Sequence, residues 1–201
     1  MNSTLLVATH NAHKTAEIAR IVADRFSEVT DLTSIPGLTP PEEDGATFAA
    51  NSEIKSLAAS QAAPQSLVLA DDSGLEVDAL GGAPGVYSAR YAGPNSTDQS
   101  NREKLLSELA RLDVSVEART ARFRCSLTLA QGGSVMARFD GTCEGRIAEE
   151  ESGSGGFGYD PIFIPEGHDS SFGVLPAKVK NAMSHRGRAM ASFLDWWDRE
   201  S

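Results

Sequence analysis

The feature that most constrains this chain is a strict alternation beyond its midpoint. Ala121, Phe123, Cys125, Leu127 and Leu129 are apolar, and Arg122, Arg124, Ser126 and Thr128 between them are polar. A period of two puts the apolar set on one face of a β-strand. Gly132-Gly133 follows, and a second run from Val135 to Thr142 reads as its partner strand. A long hairpin is therefore expected, and the rest of the chain must pack around a sheet.

The remaining pattern is mostly helical. Leu5 to Ala8 reads as a short buried strand. Ile18, Ile21, Val22 and Phe26 then recur at helical spacing, with Asn11 placed as an N-cap. An Ala-rich segment from about Thr47 to Ser60 predicts a second helix, and Leu67 to Ala70 a second buried strand that ends at Asp71-Asp72-Ser73-Gly74. Thr97 caps a predicted helix from about Asp98 to Leu112. Met190, Phe193, Leu194 and Trp197 fall at i, i+3, i+4 and i+7 of a closing helix, which assigns the tryptophans to core or interface. Helices mixed with a hairpin-bearing sheet predict an α/β (α+β-like) fold with a mixed sheet. At 201 residues, a single domain spanning 1–201 is expected.

Composition narrows the function. Acids outnumber bases by 28 to 18, for a net charge of -10. That surplus argues against a nucleic-acid polymer or an anionic membrane as partner, but not against a small anion held in a local basic pocket. No stretch approaches the roughly 20 apolar residues of a membrane helix, and the opening residues lack a signal-peptide pattern. Cys125 and Cys143 are widely spaced, so two reduced cysteines in a cytoplasmic protein are expected.

Five segments could carry chemistry. Thr9-His10-Asn11-Ala12-His13-Lys14 sits where a strand meets a helix N-terminus, a place that favours an anion; a plain N-cap with an exposed lysine is the alternative. Asp71-Asp72-Ser73-Gly74 puts two carboxylates after a buried strand, where neighbours point to opposite faces. One acid is expected to face a site and the other to hold a turn; ordinary turn chemistry competes with that reading. Magnesium usually takes one or two carboxylates plus phosphates, and Glu42-Glu43-Asp44, on its own a solvated acidic loop, could add a ligand beside the Asp pair. Gly155-Gly156-Phe157-Gly158-Tyr159-Asp160 offers either an aromatic face for a base or a glycine-rich hairpin with a buried ring. Lys178, Lys180, His185, Arg186 and Arg188 gather bases at the start of the last helix, where cations are disfavoured unless an anion compensates them; an ordinary solvated helix end is the alternative.

Together these segments resemble the non-canonical purine nucleoside triphosphate pyrophosphatases, the inosine triphosphatase family. The resemblance is carried by Thr9, Asn11 and Lys14 as T-x-N-x-x-K, by LADDSGLEVDALGGAPGVYSARYAG from Leu69 to Gly93, by GGFGYDPIF from Gly155 to Phe163 and by SHRG from Ser184 to Gly187. It runs from residue 4 to about residue 190. The related septum-formation pyrophosphatases share a similar fold but should lack the SHRG and GGFGYDP combination.

The resemblance implies an elongated mixed β-sheet flanked by helices, two lobes with a central cleft, and usually a homodimer. It implies magnesium-dependent hydrolysis of ITP, dITP and XTP to monophosphate and pyrophosphate. Thr9, His10, Asn11, Ala12, His13 and Lys14 would bind the triphosphate. Asp72 would accept a proton and ligate magnesium, with Glu43 as a further metal-site carboxylate. Ser73 would contact substrate, and Phe157, Gly158, Tyr159, Asp160, Lys180, His185 and Arg186 would hold the nucleotide. Two positions depart from the family: His10 replaces a small or polar residue, and Ala50 replaces a Glu before Asn51, shifting any metal role to Glu43 and Glu53. A nucleotide-binding regulator with weakened catalysis, or a pyrophosphatase for other modified nucleotides, are the competing readings.

Overall fold

The computed structural model describes residues 4–35 and 37–200. In chain order it contains β1 (Thr4–Val7), α1 (Ala12–Val22), β2 (Glu28–Asp31), α2 (Phe48–Ala62), β3 (Leu67–Val77), α3 (Asp98–Arg111), β4 (Thr120–Gln131), β5 (Ser134–Ile147), β6 (Phe163–Pro165), α4 (Ala177–Met183) and α5 (His185–Glu200). The strands form one six-stranded sheet in the order β2-β1-β3-β4-β5-β6. β1 pairs in parallel with β2 and with β3, whereas β5 and β6 are antiparallel, so the α/β fold has the expected mixed sheet.

The chain divides into two compact units. The first comprises Met1–Asp72, Cys125–Gly141 and Ala189–Ser201, and the second Ser73–Arg124 and Thr142–Arg188. In the first unit, Leu5, Leu6 and Val7 are all buried, as a parallel strand covered on both faces requires. Successive side chains of β1 and β3 feed opposite cores. Leu5, Val7, Leu69, Cys125, Leu127 and Leu129 join Ile18 and Val22 of α1 and Phe193 of α5. Leu6, Ala8, Val68 and Ala70 join Ala59 of α2. Trp196 and Trp197 are partly buried against the first of these cores, in keeping with the helical spacing of the closing segment. The second unit has its own core, with Leu75, Leu105, Leu109, Phe123, Phe163 and Phe172 fully or nearly buried.

The caps follow the sequence. Asn11 Oδ1 accepts from the backbone N–H groups of His13 and Lys14, and Thr97 and Ser100 form a capping box that starts α3. Gly132 and Gly133 both take positive φ, 57° and 79°, which closes the β4–β5 hairpin. β5 runs to Ile147, five residues past the expected Thr142.

The main departure lies in β3. The strand does not end at Ala70 but continues through Asp71, Asp72, Ser73 and Gly74 to Val77. The turn expected of Asp-Ser-Gly does not form, because each carboxylate meets a lysine on its own face and can stay in a buried strand. The five cations or imidazoles also divide differently from expectation, Lys178 going with α4. Lys180 lies on α4, a separate short helix, while His185, Arg186 and Arg188 belong to α5.

Leu127 is fully buried in the first unit's core. Leu127→Ala is expected to destabilise the fold by about 2–5 kcal/mol, the range for deleting a buried leucine side chain, as read from the urea midpoint.

Candidate functional site

The first unit builds its polar cluster on β3. Asp71 and Asp72 are both buried, at 1% and 9% exposure, and point to opposite faces of the strand. On one face, Lys14 Nζ of α1 forms an ion pair with Asp71 Oδ1, and the Cys125 thiol donates to Asp71 Oδ2 at 3.2 Å. On the other, Lys55 Nζ of α2 lies 2.7 Å from Asp72 Oδ1 and 3.1 Å from Glu43 Oε2. Burial pushes the Asp72 carboxyl above the usual carboxylate range, and the Lys55 and Lys14 ammoniums offset that only in part. Lys55 is raised in turn: its burial favours the neutral form, but Asp72, Glu43 and Asp71 outweigh it.

The loop that carries Glu43 is tied to α2. Gly45 N–H donates to Asn51 Oδ1 at 2.8 Å, and Asn51 is almost fully buried. This explains why Asn51 can anchor the acidic loop without help from position 50. Glu53, by contrast, is engaged elsewhere: Arg138 Nε and an Nη donate to its carboxylate at 3.0 and 2.6 Å. The cluster around Asp72 therefore uses Glu43 and not Glu53.

The Thr9–Lys14 segment is more self-satisfied than an open anion site. Thr9 Oγ1 accepts from Asn11 N–H at 3.1 Å, and Asn11 takes the N–H groups of His13 and Lys14. The donors expected to be free for phosphate are thus partly used by the cap itself. His10, Asn11, Ala12 and His13 are exposed, and Thr9 and Lys14 are half-buried.

The second unit builds a separate cluster on the glycine-rich loop. Gly156 takes φ +74°, and a Cβ there would collide with the Asp160 carboxylate. That close approach lets Asp160 Oδ2 accept from Phe157 N–H at 2.7 Å and from Lys180 Nζ at 2.7 Å. The Lys180 ammonium stands 4.9 Å from the centre of the Phe157 ring, and the Arg186 guanidinium carbon 5.7 Å from it. Arg186 is buried, and its Nη2 donates to Ser73 Oγ at 3.0 Å. Tyr159 is buried in the core, with its hydroxyl donating to Ser88 O at 2.9 Å. His185 stacks on Phe123 at 4.7 Å between centroids. Lys178 and Arg188 are exposed, and Arg188 donates to Thr142 O.

Lys55 is the residue that sequence reasoning missed. It is the only base of α2, in an otherwise Ala- and Ser-rich helix. A lone cation eight residues past the helix cap was a readable signal, but it stands outside the motifs. Burial pushes the Cys143 thiol up to about 11, which fits an inert structural cysteine.

Three comparisons bear on these clusters. The sequence model of the Ham1 family matches residues 5–196. A dITP/XTP pyrophosphatase of Halalkalibacterium halodurans is 47% identical over 193 residues, covering 96% of this chain and 98% of that protein. The dITP/XTP pyrophosphatase of Bacillus subtilis is 46% identical over 185 residues, covering 92% of each. The structure of a HAM1 protein from Coxiella burnetii superposes with a TM-score of 0.88 at 36% identity, covering 98% of this chain and 99% of that one.

The Lys180–Asp160 pair is buried, with side-chain exposures of 9% and 4%. Removing one partner of such a pair strands the other charge. Asp160→Ala is expected to cost about 3–5 kcal/mol of stability, seen as a lowered denaturation midpoint.

Proposed function

The chain belongs to the Ham1 family, and from that premise we propose that it hydrolyses the non-canonical purine nucleotides dITP, XTP and ITP to monophosphate and pyrophosphate. The observation that carries this reading is the Asp72–Lys55–Glu43 cluster, in which a carboxylate of a buried strand and one of a loop converge on one cation of α2.

The donor set suits a divalent metal. Among the described residues no group of three or more His, Cys, Asp or Glu is placed to hold an ion. Magnesium, however, needs only one or two carboxylates when phosphates complete its shell. Asp72 and Glu43 already bring oxygen donors to one ammonium, so they fit such an ion and would hold it. Bound there, magnesium would supply positive charge to the phosphate oxygens.

The protein's own groups would do the rest. Water attacks the α-phosphorus, the bond from that phosphorus to the bridging oxygen breaks, and pyrophosphate leaves. Asp72 accepts the proton of the attacking water. A carboxyl raised by burial is a better proton acceptor than an ordinary one. Lys14 offsets the charge that grows on the leaving group. Phe157 offers a ring to the base, and Arg186 donors favour a 6-keto acceptor over the 6-amino group of adenine. Tyr159 and His185 act through the positions they fix, since their rings are packed in the second unit's core. Thr9, His10, Asn11, Ala12 and His13 shape the phosphate end, while Ser73 fixes the Arg186 guanidinium. The resemblance also implies a homodimer, while the net charge of -10 argues against a nucleic-acid polymer or an anionic membrane as partner, and the two reduced cysteines fit the cytoplasm. No described helix is long and apolar enough to cross a membrane.

Asp72→Asn is expected to lower kcat for ITP by about 100-fold or more while the chain stays folded. Release of pyrophosphate from ITP at near the normal rate would remove Asp72 from the reaction. In the metal-free chain the Asp72 carboxyl should titrate above the ordinary carboxylate range, because burial disfavours its charged form, as read by carboxyl NMR. Lys55 lowers that pKa, so Lys55→Met should raise it further in the metal-free chain, and a carboxyl whose titration stays in place would refute the Asp72–Lys55 coupling.

A further inference from the structure

The glycine-rich loop of the second unit is held from outside by α3, through contacts that neither the family motifs nor the reading above employs. Gly158 N–H donates to Asp98 Oδ2 at 2.7 Å, and Arg102 Nη1 donates to Gly158 O at 2.8 Å. The N–H and the carbonyl of one residue are thus both fixed by side chains one turn apart on the same helix. Asp98 lies in the first turn of α3, where a carboxylate is favoured by the helix dipole. Arg102 Nε in turn pairs with Glu151 at 2.9 Å, and the Arg102 side chain is only 13% exposed. The guanidinium is therefore anchored at the near end of the same loop.

The residue just before Gly158 is Phe157. Its N–H is held by Asp160 at 2.7 Å, so the backbone is fixed on both sides of this aromatic. Gly158 itself takes φ +60° with nothing close to where a Cβ would lie, so its own packing does not hold it. A glycine loses more conformational entropy when ordered than any other residue. Something must offset that cost if the Phe157 ring is to stay half-buried near Lys180 and Arg186.

We propose that Asp98 and Arg102 are positioning residues for Phe157, clamping the Gly158 backbone so that the ring is presented as a stacking face for the purine base. This rests on the functional reading above and deepens it: α3 sets affinity for the base and leaves the phosphate contacts alone. Neither residue touches the reacting atoms.

The test compares a ligand that has a base with one that lacks it. Inosine monophosphate and inorganic tripolyphosphate are titrated calorimetrically into the parent chain and into Arg102→Met, Asp98→Ala and Asp98→Asn. Arg102→Met and Asp98→Ala should each weaken inosine monophosphate by about five- to tenfold, the effect of one lost hydrogen bond. KM for ITP should rise by the same factor, with the smaller change in kcat. Tripolyphosphate affinity should stay put. Asp98→Asn keeps an oxygen acceptor for Gly158 and should recover most of the loss. The proposal is overturned if inosine monophosphate binds both variants as it binds the parent, or if tripolyphosphate weakens by the same factor. A parent chain that neither binds inosine monophosphate nor hydrolyses ITP would overturn the functional reading along with it, a result distinct from either.

Discussion

Two adjacent carboxylates in the middle of a buried strand set the terms for the first unit. Burying an ionised carboxylate is costly unless a partner answers it. Asp71 and Asp72 point to opposite faces, so one partner cannot serve both. α1 supplies Lys14 to one face and α2 supplies Lys55 to the other. The apolar residues of β3 follow the same division: Leu69 shares a core with α1 and Ala70 with α2. Each helix is thus located twice, by packing and by an ion pair. The lesser details serve these two lysines. Asn11 caps α1 beside Lys14, and Asn51 ties the loop of Glu43 to the helix that carries Lys55.

The second unit solves a different problem, which is how to hold glycine-rich backbone in one conformation. Its answer is again charge placed inside. Asp160 accepts from the loop and from Lys180 at once, and the missing Cβ of Gly156 makes room for it. Aromatic packing finishes the work, with Phe123, Phe163 and Phe172 in mutual contact and His185 stacked on Phe123. A buried carboxylate here orders a loop, whereas in the first unit it orders helices.

Much of this was legible in the residues. The alternation of β4, the Asn11 and Thr97 caps and the Gly132-Gly133 turn are local signals, and local physics decides them. The end of β3 was misread for a reason of the same kind. Asp-Ser-Gly is turn chemistry by composition, and only lysines 57 and 17 residues away in sequence allow the strand to continue. The five bases near the C-terminus looked like one cluster because they are close in sequence. In the structure Lys180 answers Asp160, His185 packs on an aromatic and Arg188 donates to a carbonyl, while only Lys180 and Arg186 of the five meet, beside the Phe157 ring. Lys55 went unseen because nothing in its own helix marks it; its meaning comes from Asp72 and Glu43.

The same logic limits what net charge can say. A balance of -10 is a sum over groups that mostly face water, where salt screens them beyond about 8–10 Å. The lysines that matter are not part of that averaged surface. Lys55 lies within 3.1 Å of two carboxylates, and Lys180 within 2.7 Å of one, in surroundings where the attraction is several times stronger than in water. Each therefore has its position set by its partners before any ligand arrives. An acidic chain can hold ordered cations because it is acidic: the surplus carboxylates are what fix them in place, and preordered cations cost a ligand less entropy to engage than mobile ones.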